Sequence, residues 1–214
     1  MKYVLCYGDS NTRGASPDDS PRYDFDVRWP GVLQRELPDQ IHVYENGLGG
    51  RTTTFTDDVE PGRNGRLALE PVLDVSCPLD LVILMLGTND CKDRFSNHSA
   101  WDVAEGMRLL VKLARNTRWG KDQERMPRVL VVSPAKLGDD LRRSSLNMLF
   151  SKSSAKKSAE LAELYERVAT EEGVDFLDAA RLVDTGKDSV HLDAAAHQTL
   201  GEAMAEQVRR ILAL

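Results

Sequence analysis

The sequence predicts an α/β protein, a three-layer doubly wound sandwich around a five-stranded parallel sheet. Five short apolar runs alternate with longer helical patterns along the 214 residues. Two of the runs are continuous in Val, Ile and Leu, as strands buried on both faces of a parallel sheet are. Strands are expected at residues 3–7, 41–44, 81–86, 129–132 and 174–177. A helix is expected at 27–37 behind an Asp26 cap, and another at 100–115 behind Ser99. A third is expected at 158–171, where Leu161, Leu164, Tyr165 and Val168 recur at helical spacing. The last starts near Asp193 and carries Leu200, Met204, Val208 and Ile211 on one face. Right-handed crossovers between such strands gather the loops that follow them along one edge, the carboxyl edge of the sheet.

Composition narrows the function classes. Hydrophobic residues make up 41% and charged residues 29%, enough for a packed core, which excludes disordered, collagen-like and disulfide-scaffold chains. No linker breaks the pattern, so residues 1–214 are expected to form one domain. With 34 acidic and 28 basic residues the net charge is −6, which disfavours nucleic acid and anionic membrane surfaces as partners. The apolar run near Met1 meets Gly8 and Asp9 too soon for a signal-peptide core or a membrane span. Cys6, Cys77 and Cys91 are odd in number and lack CxxC spacing; they are expected as buried, reduced thiols, which points to the cytoplasm. Four scattered histidines without HExxH or paired Cys offer no metal ligand set, and no cofactor is expected. The Ser/Lys-rich residues 151–158 read as a solvated helix start. The irregular residues 136–151 read either as a wall of the site or as a contact between copies.

Chemistry concentrates after the strands. Gly8-Asp9-Ser10-Asn11-Thr12 follows the first strand, which puts Ser10 at the carboxyl edge beside free backbone N–H groups. That is a nucleophile position, although an ordinary turn with Ser10 or Asp9 as cap has the same composition. Of His42, His98, His191 and His197, only His191 lies in a polar loop, three residues after Asp188 and just before the last helix. An aspartate at that spacing can accept the ring N–H, fix the tautomer and stabilise the imidazolium formed when Ser10 loses its proton. Residues 47–52, with three glycines, and Gly87-Thr88-Asn89-Asp90 are candidates for the donors that hold a developing oxyanion. Asp9, Arg51 and Trp29, with Arg13, adjoin these loops and are candidates to line the substrate pocket; local pairing is the plainer account of the arginines.

In this order the four segments resemble the blocks of the SGNH hydrolase superfamily, also called GDSL esterases or lipases. The matches are Gly8-Asp9-Ser10, Gly50, Gly87-Thr88-Asn89-Asp90 and Asp188-Ser189-Val190-His191, and they span nearly the whole chain. The resemblance implies a flavodoxin-like fold. It also implies Ser10 as nucleophile, His191 oriented by Asp188 as base, and an oxyanion hole from the Ser10 and Gly50 N–H groups with the Asn89 amide. The first block departs from the family in reading GDSN. The second has Glu45 where many members carry Asn, which leaves Gly49 and Gly50 both open as the donor. The runs at residues 26–29, 47–53 and 85–90 resemble the bacterial arylesterase and acyltransferase subgroup, which implies short acyl esters as substrates, acyl transfer to alcohols and a homo-oligomer. The competing expectation is a non-catalytic, flavodoxin-like module for a small anionic ligand. Such a module needs no base beside Ser10, and the chain has neither a P-loop nor GxGxxG.

Overall fold

Alternation within each strand decides which side chains go to which layer. The structure, a computed structural model, describes residues 1–18 and 21–214. Its strands are β1 (Lys2–Gly8), β2 (Ile41–Gly47), β3 (Leu81–Met85), β4 (Arg128–Ser133) and β5 (Asp175–Asp178). All pair in parallel, in the order β2-β1-β3-β4-β5. Leu5 and Tyr7 of β1, Val82 and Leu84 of β3, and Val129 and Val131 of β4 share one face. There they pack against α3 (Gly65–Ser76), α4 (Ala100–Ala114) and α5 (Lys152–Glu172). Val4 and Cys6, Leu81, Ile83 and Met85, and Leu130 and Val132 face the other way. They meet Trp29 and Leu33 of α2 (Trp29–Glu36) and Leu200, Met204 and Val208 of α6 (Ala194–Leu212). Each fully buried Val, Leu or Ile contributes about 1.5–3 kcal/mol of transfer free energy, so both faces of the sheet are secured by the same term.

Three helices differ from expectation, each for a local reason. The helix expected from residue 27 begins at Trp29: Asp26 does not cap it, Arg28 holds the N-cap position in extended conformation, and Pro30 occupies the first turn. The N–H groups of Val27 and Arg28 instead close a turn on the Asp24 carbonyl. It stops at Glu36 because Leu37 precedes Pro38 and takes extended backbone. The helix expected from residue 158 starts at Lys152, the Ser/Lys stretch forming its first turn, with Ser151 N–H donating to Ser154 Oγ (3.0 Å). α3 was not expected, because Pro71 interrupts its pattern; Asn64 Oδ1 caps it by accepting from Leu67 N–H (3.2 Å), and only Leu69, Leu73 and Gly65 are buried. Cys6 and Cys91 are buried thiols as expected, but Cys77, just past α3, is exposed. No described helix is long and apolar enough to cross a membrane.

The turn after β3 is held from below. Tyr165 of α5 donates its hydroxyl to the Leu86 carbonyl (3.0 Å), and Gly87 bends away at φ +124°, where a Cβ would lie 2.5 Å from that hydroxyl. Tyr165→Phe should therefore lower unfolding stability by about 1–2 kcal/mol, because the buried carbonyl loses its donor. Urea denaturation reads this directly, and a change below about 0.3 kcal/mol would show that the hydroxyl does not hold the turn.

Candidate active site

The order of the sheet places β1 between β2 and β3, so the loops after β1 diverge from those of its neighbours at a topological switch point, where open α/β sheets leave a crevice. Ser10 begins the short helix α1 (Ser10–Arg13) there and is 8% exposed. Asp9 caps it, Oδ1 accepting from Asn11 N–H (2.9 Å). Ser10 Oγ lies 3.0 Å from His191 Nε2, and His191 Nδ1 lies 2.5 Å from Asp188 Oδ2. Asp188 Oδ1 also accepts the N–H groups of Val190 (2.9 Å) and His191 (2.7 Å). Burial pushes the Asp188 carboxyl up, but the His191 ring, the His191 and Val190 N–H groups and the field of His191 outweigh it and hold the group below the usual carboxylate range. The structure thus brings Ser10, His191 and Asp188 into one hydrogen-bonded line.

The other histidines stand elsewhere. His42 is exposed on β2 against Tyr44, and His98 stacks on Phe55 with ring centroids 4.2 Å apart. His197 is buried in α6, where Nδ1 accepts from Trp29 N–H (3.3 Å) and burial pushes its pKa down to about 4.

The glycine turn after β2 runs beside Ser10. Leu48 N–H donates to Gly8 O (3.1 Å) and Arg51 N–H to Leu48 O (3.1 Å), while among the described residues the N–H groups of Gly49 and Gly50 have no acceptor. A Cβ on Gly49 would sit 4.0 Å from Ser10 Cβ, whereas one on Gly50, at φ +80°, would meet Glu60 Oε2 on the far side. Asn89, in the turn after β3, donates Nδ2 to the Arg51 carbonyl (3.1 Å) and lies 3.5 Å from Asp9 Oδ2. The Asn89 amide is thereby held between the Arg51 carbonyl and the longer contact to Asp9. The N–H that opens α1 and the N–H groups of Gly49 and Gly50 have no acceptor among the described residues, and the glycine turn and Asn89 follow the strands on either side of β1.

The residues expected to line the pocket are placed differently. Trp29 is 0% exposed and belongs to the core between α2 and α6, because it is the first residue of α2 and faces the sheet. Arg51 is buried beneath the site: Nη1 donates to Gly8 O (2.8 Å) and Asn46 O (2.7 Å), Nη2 to Asn46 Oδ1 (3.0 Å), and the guanidinium lies 4.0 Å over the Tyr7 ring. Arg13 is exposed, and its carbonyl accepts from Arg22 Nε (2.6 Å). Asp9 is buried under Ser10, where loss of solvent raises its carboxyl against the pull of the Asn11 N–H and of His191.

Three connections were not anticipated. Asn11 donates Nδ2 to Val190 O (3.2 Å) and accepts from Leu192 N–H at Oδ1 (2.9 Å), clamping the His191 segment to the Ser10 turn. Its signal in the sequence was the departure from GDSL itself. Asp90, fully buried, accepts Thr53 N–H (2.9 Å) and Thr53 Oγ1 (2.5 Å); burial pushes its pKa up to about 6 against those donors. Glu45, the second departure, accepts from Arg28 Nη1 (2.7 Å) and from Arg22, tethering the loop before α2. Among the described residues no group of three or more His, Cys, Asp or Glu is arranged to hold a metal.

Comparison with known proteins identifies the family. Residues 6–199 match the GDSL-like lipase/acylhydrolase family. No curated protein matches the chain. The aryl esterase of M. smegmatis shares 39% identity, with 99% of this chain and 100% of that one covered and a TM-score of 0.91. A carbohydrate acetylesterase family member from Sinorhizobium meliloti shares 38%, with 100% of each chain covered and a TM-score of 0.93. A second carbohydrate acetylesterase from that organism shares 35%, with 99% and 100% covered and a TM-score of 0.90. With nearly its whole length matched, the chain belongs to the GDSL-like lipase/acylhydrolase family of the SGNH superfamily and is a carboxylic ester hydrolase.

Proposed function

We propose that the protein is a serine esterase for short-chain acetyl and aryl esters, working through an acyl-Ser10 intermediate. The observation that carries the reading is the continuous line from Ser10 Oγ through the His191 ring to Asp188, at 3.0 and 2.5 Å. His191 Nε2 takes the Ser10 proton as Oγ attacks the ester carbonyl. The charge that develops on the carbonyl oxygen is met by the Ser10 N–H, by the Gly50 N–H and by Asn89 Nδ2. As the tetrahedral species collapses, the C–O bond to the leaving alcohol breaks and His191 returns the proton to that alcohol. Water repeats the sequence on the acyl enzyme and frees Ser10; an alcohol in its place gives acyl transfer. Asp188 holds the tautomer that presents Nε2 as a base. Asp9, Arg51 and Asn11 position these groups. The same reading takes the chain as one domain acting on small-molecule esters in the cytoplasm, as a homo-oligomer.

Hydrolysis of 4-nitrophenyl acetate, measured beside Ser10→Ala and His191→Ala with circular dichroism to establish folding, should vanish in both folded variants. Activity persisting in Ser10→Ala sinks the acyl-serine route. Asn89→Ala should cut kcat about 10²–10³-fold with KM little changed, the scale of one lost oxyanion donor; an unchanged kcat removes Asn89 from the hole.

The depressed Asp188 carboxyl also predicts a pH signature. Its folded form binds a proton more weakly than the unfolded chain, so its stabilisation is complete above the unfolded value of about 4 and is lost as pH falls through the lower folded value. The stability difference between the parent and Asp188→Asn should therefore be constant above about pH 5 and shrink below about pH 4. A difference that stays the same down to about pH 3 would mean that Asp188 is not held by these donors.

A further inference from the structure

A groove of about 1120 Å³ opens between residues 136–150 and the first two turns of α5, and neither Ser10 nor His191 lines it. Its floor is apolar: Leu137, Leu141 and Phe150 are buried there, and Met148, 87% exposed, stands at the edge. Its rim is cationic. Lys136, Arg142, Lys152 and Lys156 are all exposed, and among the described residues none of them has an ion-pair or hydrogen-bond partner for its side chain. Lys157, on another side of the same turn of α5, contrasts with them, since it donates Nζ to the Phe95 carbonyl (2.9 Å). Asp139 is the one acidic residue of the lining.

Four unpartnered cations against one carboxylate make a local cationic excess in a chain of net charge −6. Like charges gathered around one opening repel, and they raise the local concentration of anions. The volume fits a small organic molecule, and the floor offers it apolar contact. We propose that this groove binds an amphipathic carboxylate, its hydrocarbon body on Leu137, Leu141, Phe150 and Met148 and its head among Lys136, Arg142, Lys152 and Lys156. The site is tied to the catalytic hairpin: Leu137 N–H donates to Ser158 Oγ of α5 (3.0 Å), and the next residue, Gly138, donates its N–H to Ser189 O (2.9 Å), between Asp188 and His191. The site stands independently of the acyl-serine reading, because its residues are separate from Ser10, His191 and Asn89.

Met148 makes occupancy observable. The chain has six methionines, of which Met85, Met107 and Met204 are buried in the core and serve as internal controls. In protein labelled with ¹³C at the methionine methyls, with the Met148 signal assigned through Met148→Leu, decanoate below its micelle concentration should shift Met148 saturably and leave the core methyls still. Decanol and decyltrimethylammonium should bind at least about tenfold more weakly, and Lys152→Glu with Lys156→Glu should raise the decanoate Kd about tenfold while ester hydrolysis is retained. Equal binding of decanol, an unmoved Met148, or an unchanged Kd in the charge-reversed variant would overturn the proposal. So would a Met148 shift that follows protein concentration in place of decanoate, which would mark the face as a contact between copies. Persistence of the Met148 shift in Ser10→Ala separates the groove from the acyl site, and its loss there overturns the assignment.

Discussion

One buried cation organises the catalytic corner. Arg51 spans the carboxyl ends of two neighbouring strands by donating to Gly8 O of β1 and to Asn46 O and Oδ1 of β2, and the Tyr7 ring closes over its guanidinium. Its own carbonyl then accepts the Asn89 amide that follows β3. Three strand ends are therefore fixed by a single residue, through both its side chain and its backbone. A charge in such a place is costly unless its donors are satisfied. Burial does lower the Arg51 pKa, and the fields of Tyr7 and Asp9 oppose that shift. Asp9, itself buried and raised, acts on Arg51 through its field, so the carboxylate under Ser10 and the arginine under the glycine turn stabilise one another.

The second fixed point is Asn11. Nothing in the sheet connects the turn after β1 with the hairpin before α6, which lie some 180 residues apart, yet their separation sets whether Ser10 Oγ meets His191 Nε2. Asn11 closes that gap with one bond in each direction, to Val190 O and from Leu192 N–H. An apolar residue there would leave a buried carbonyl and a buried N–H without partners from this side, at a cost of about 1–3 kcal/mol each. The GDSN spelling of the first block is thus a structural exchange: a polar clamp stands where a GDSL chain has an apolar side chain.

Much of this was legible in the sequence because strands buried on both faces leave unbroken apolar runs, and because the loops that follow them carry short-range signals in Gly, Asn, Asp and His. All five strands appear within one to three residues of the expected bounds. The edge argument gathered the candidate loops on one side of the sheet, and the resemblance to the SGNH hydrolases implied the joint roles of Ser10, His191 and Asp188. What failed had one local cause and two that depended on partners distant in sequence. Asp26 has the composition of a cap, but Asp24 closes the preceding turn and Pro30 delays the helix. Arg51 looks like a pocket-lining or locally paired arginine on a glycine turn until β1 supplies a carbonyl to it, and Trp29 looks like a pocket wall until α6 covers it. No local pattern records the pairings of Arg51 and Trp29, since each is made by an element at least 40 residues away.

The positions of rigid and adaptable parts follow from the same division. The candidate site residues stand on strand ends and on turns that are clamped from beneath, at Gly8 by Arg51, at Leu86 by Tyr165 and at Asp90 by Thr53. Reaction geometry must hold to a fraction of an ångström, so it belongs on such supports. Residues 136–150 are held by fewer ties, chiefly Leu137 to Ser158 and Gly138 to Ser189, and they carry the exposed Met148 and the unpartnered rim cations. Leu137, Leu141 and Phe150 of this loop belong to the core, whereas its exposed positions, Lys136, Arg142 and Met148, can change without disturbing it. Ester chemistry and the choice of what lies beside it are thereby assigned to different parts of the chain: the clamped turns fix the reaction, and the basic loop after β4 is free to set the chemistry of a neighbouring ligand.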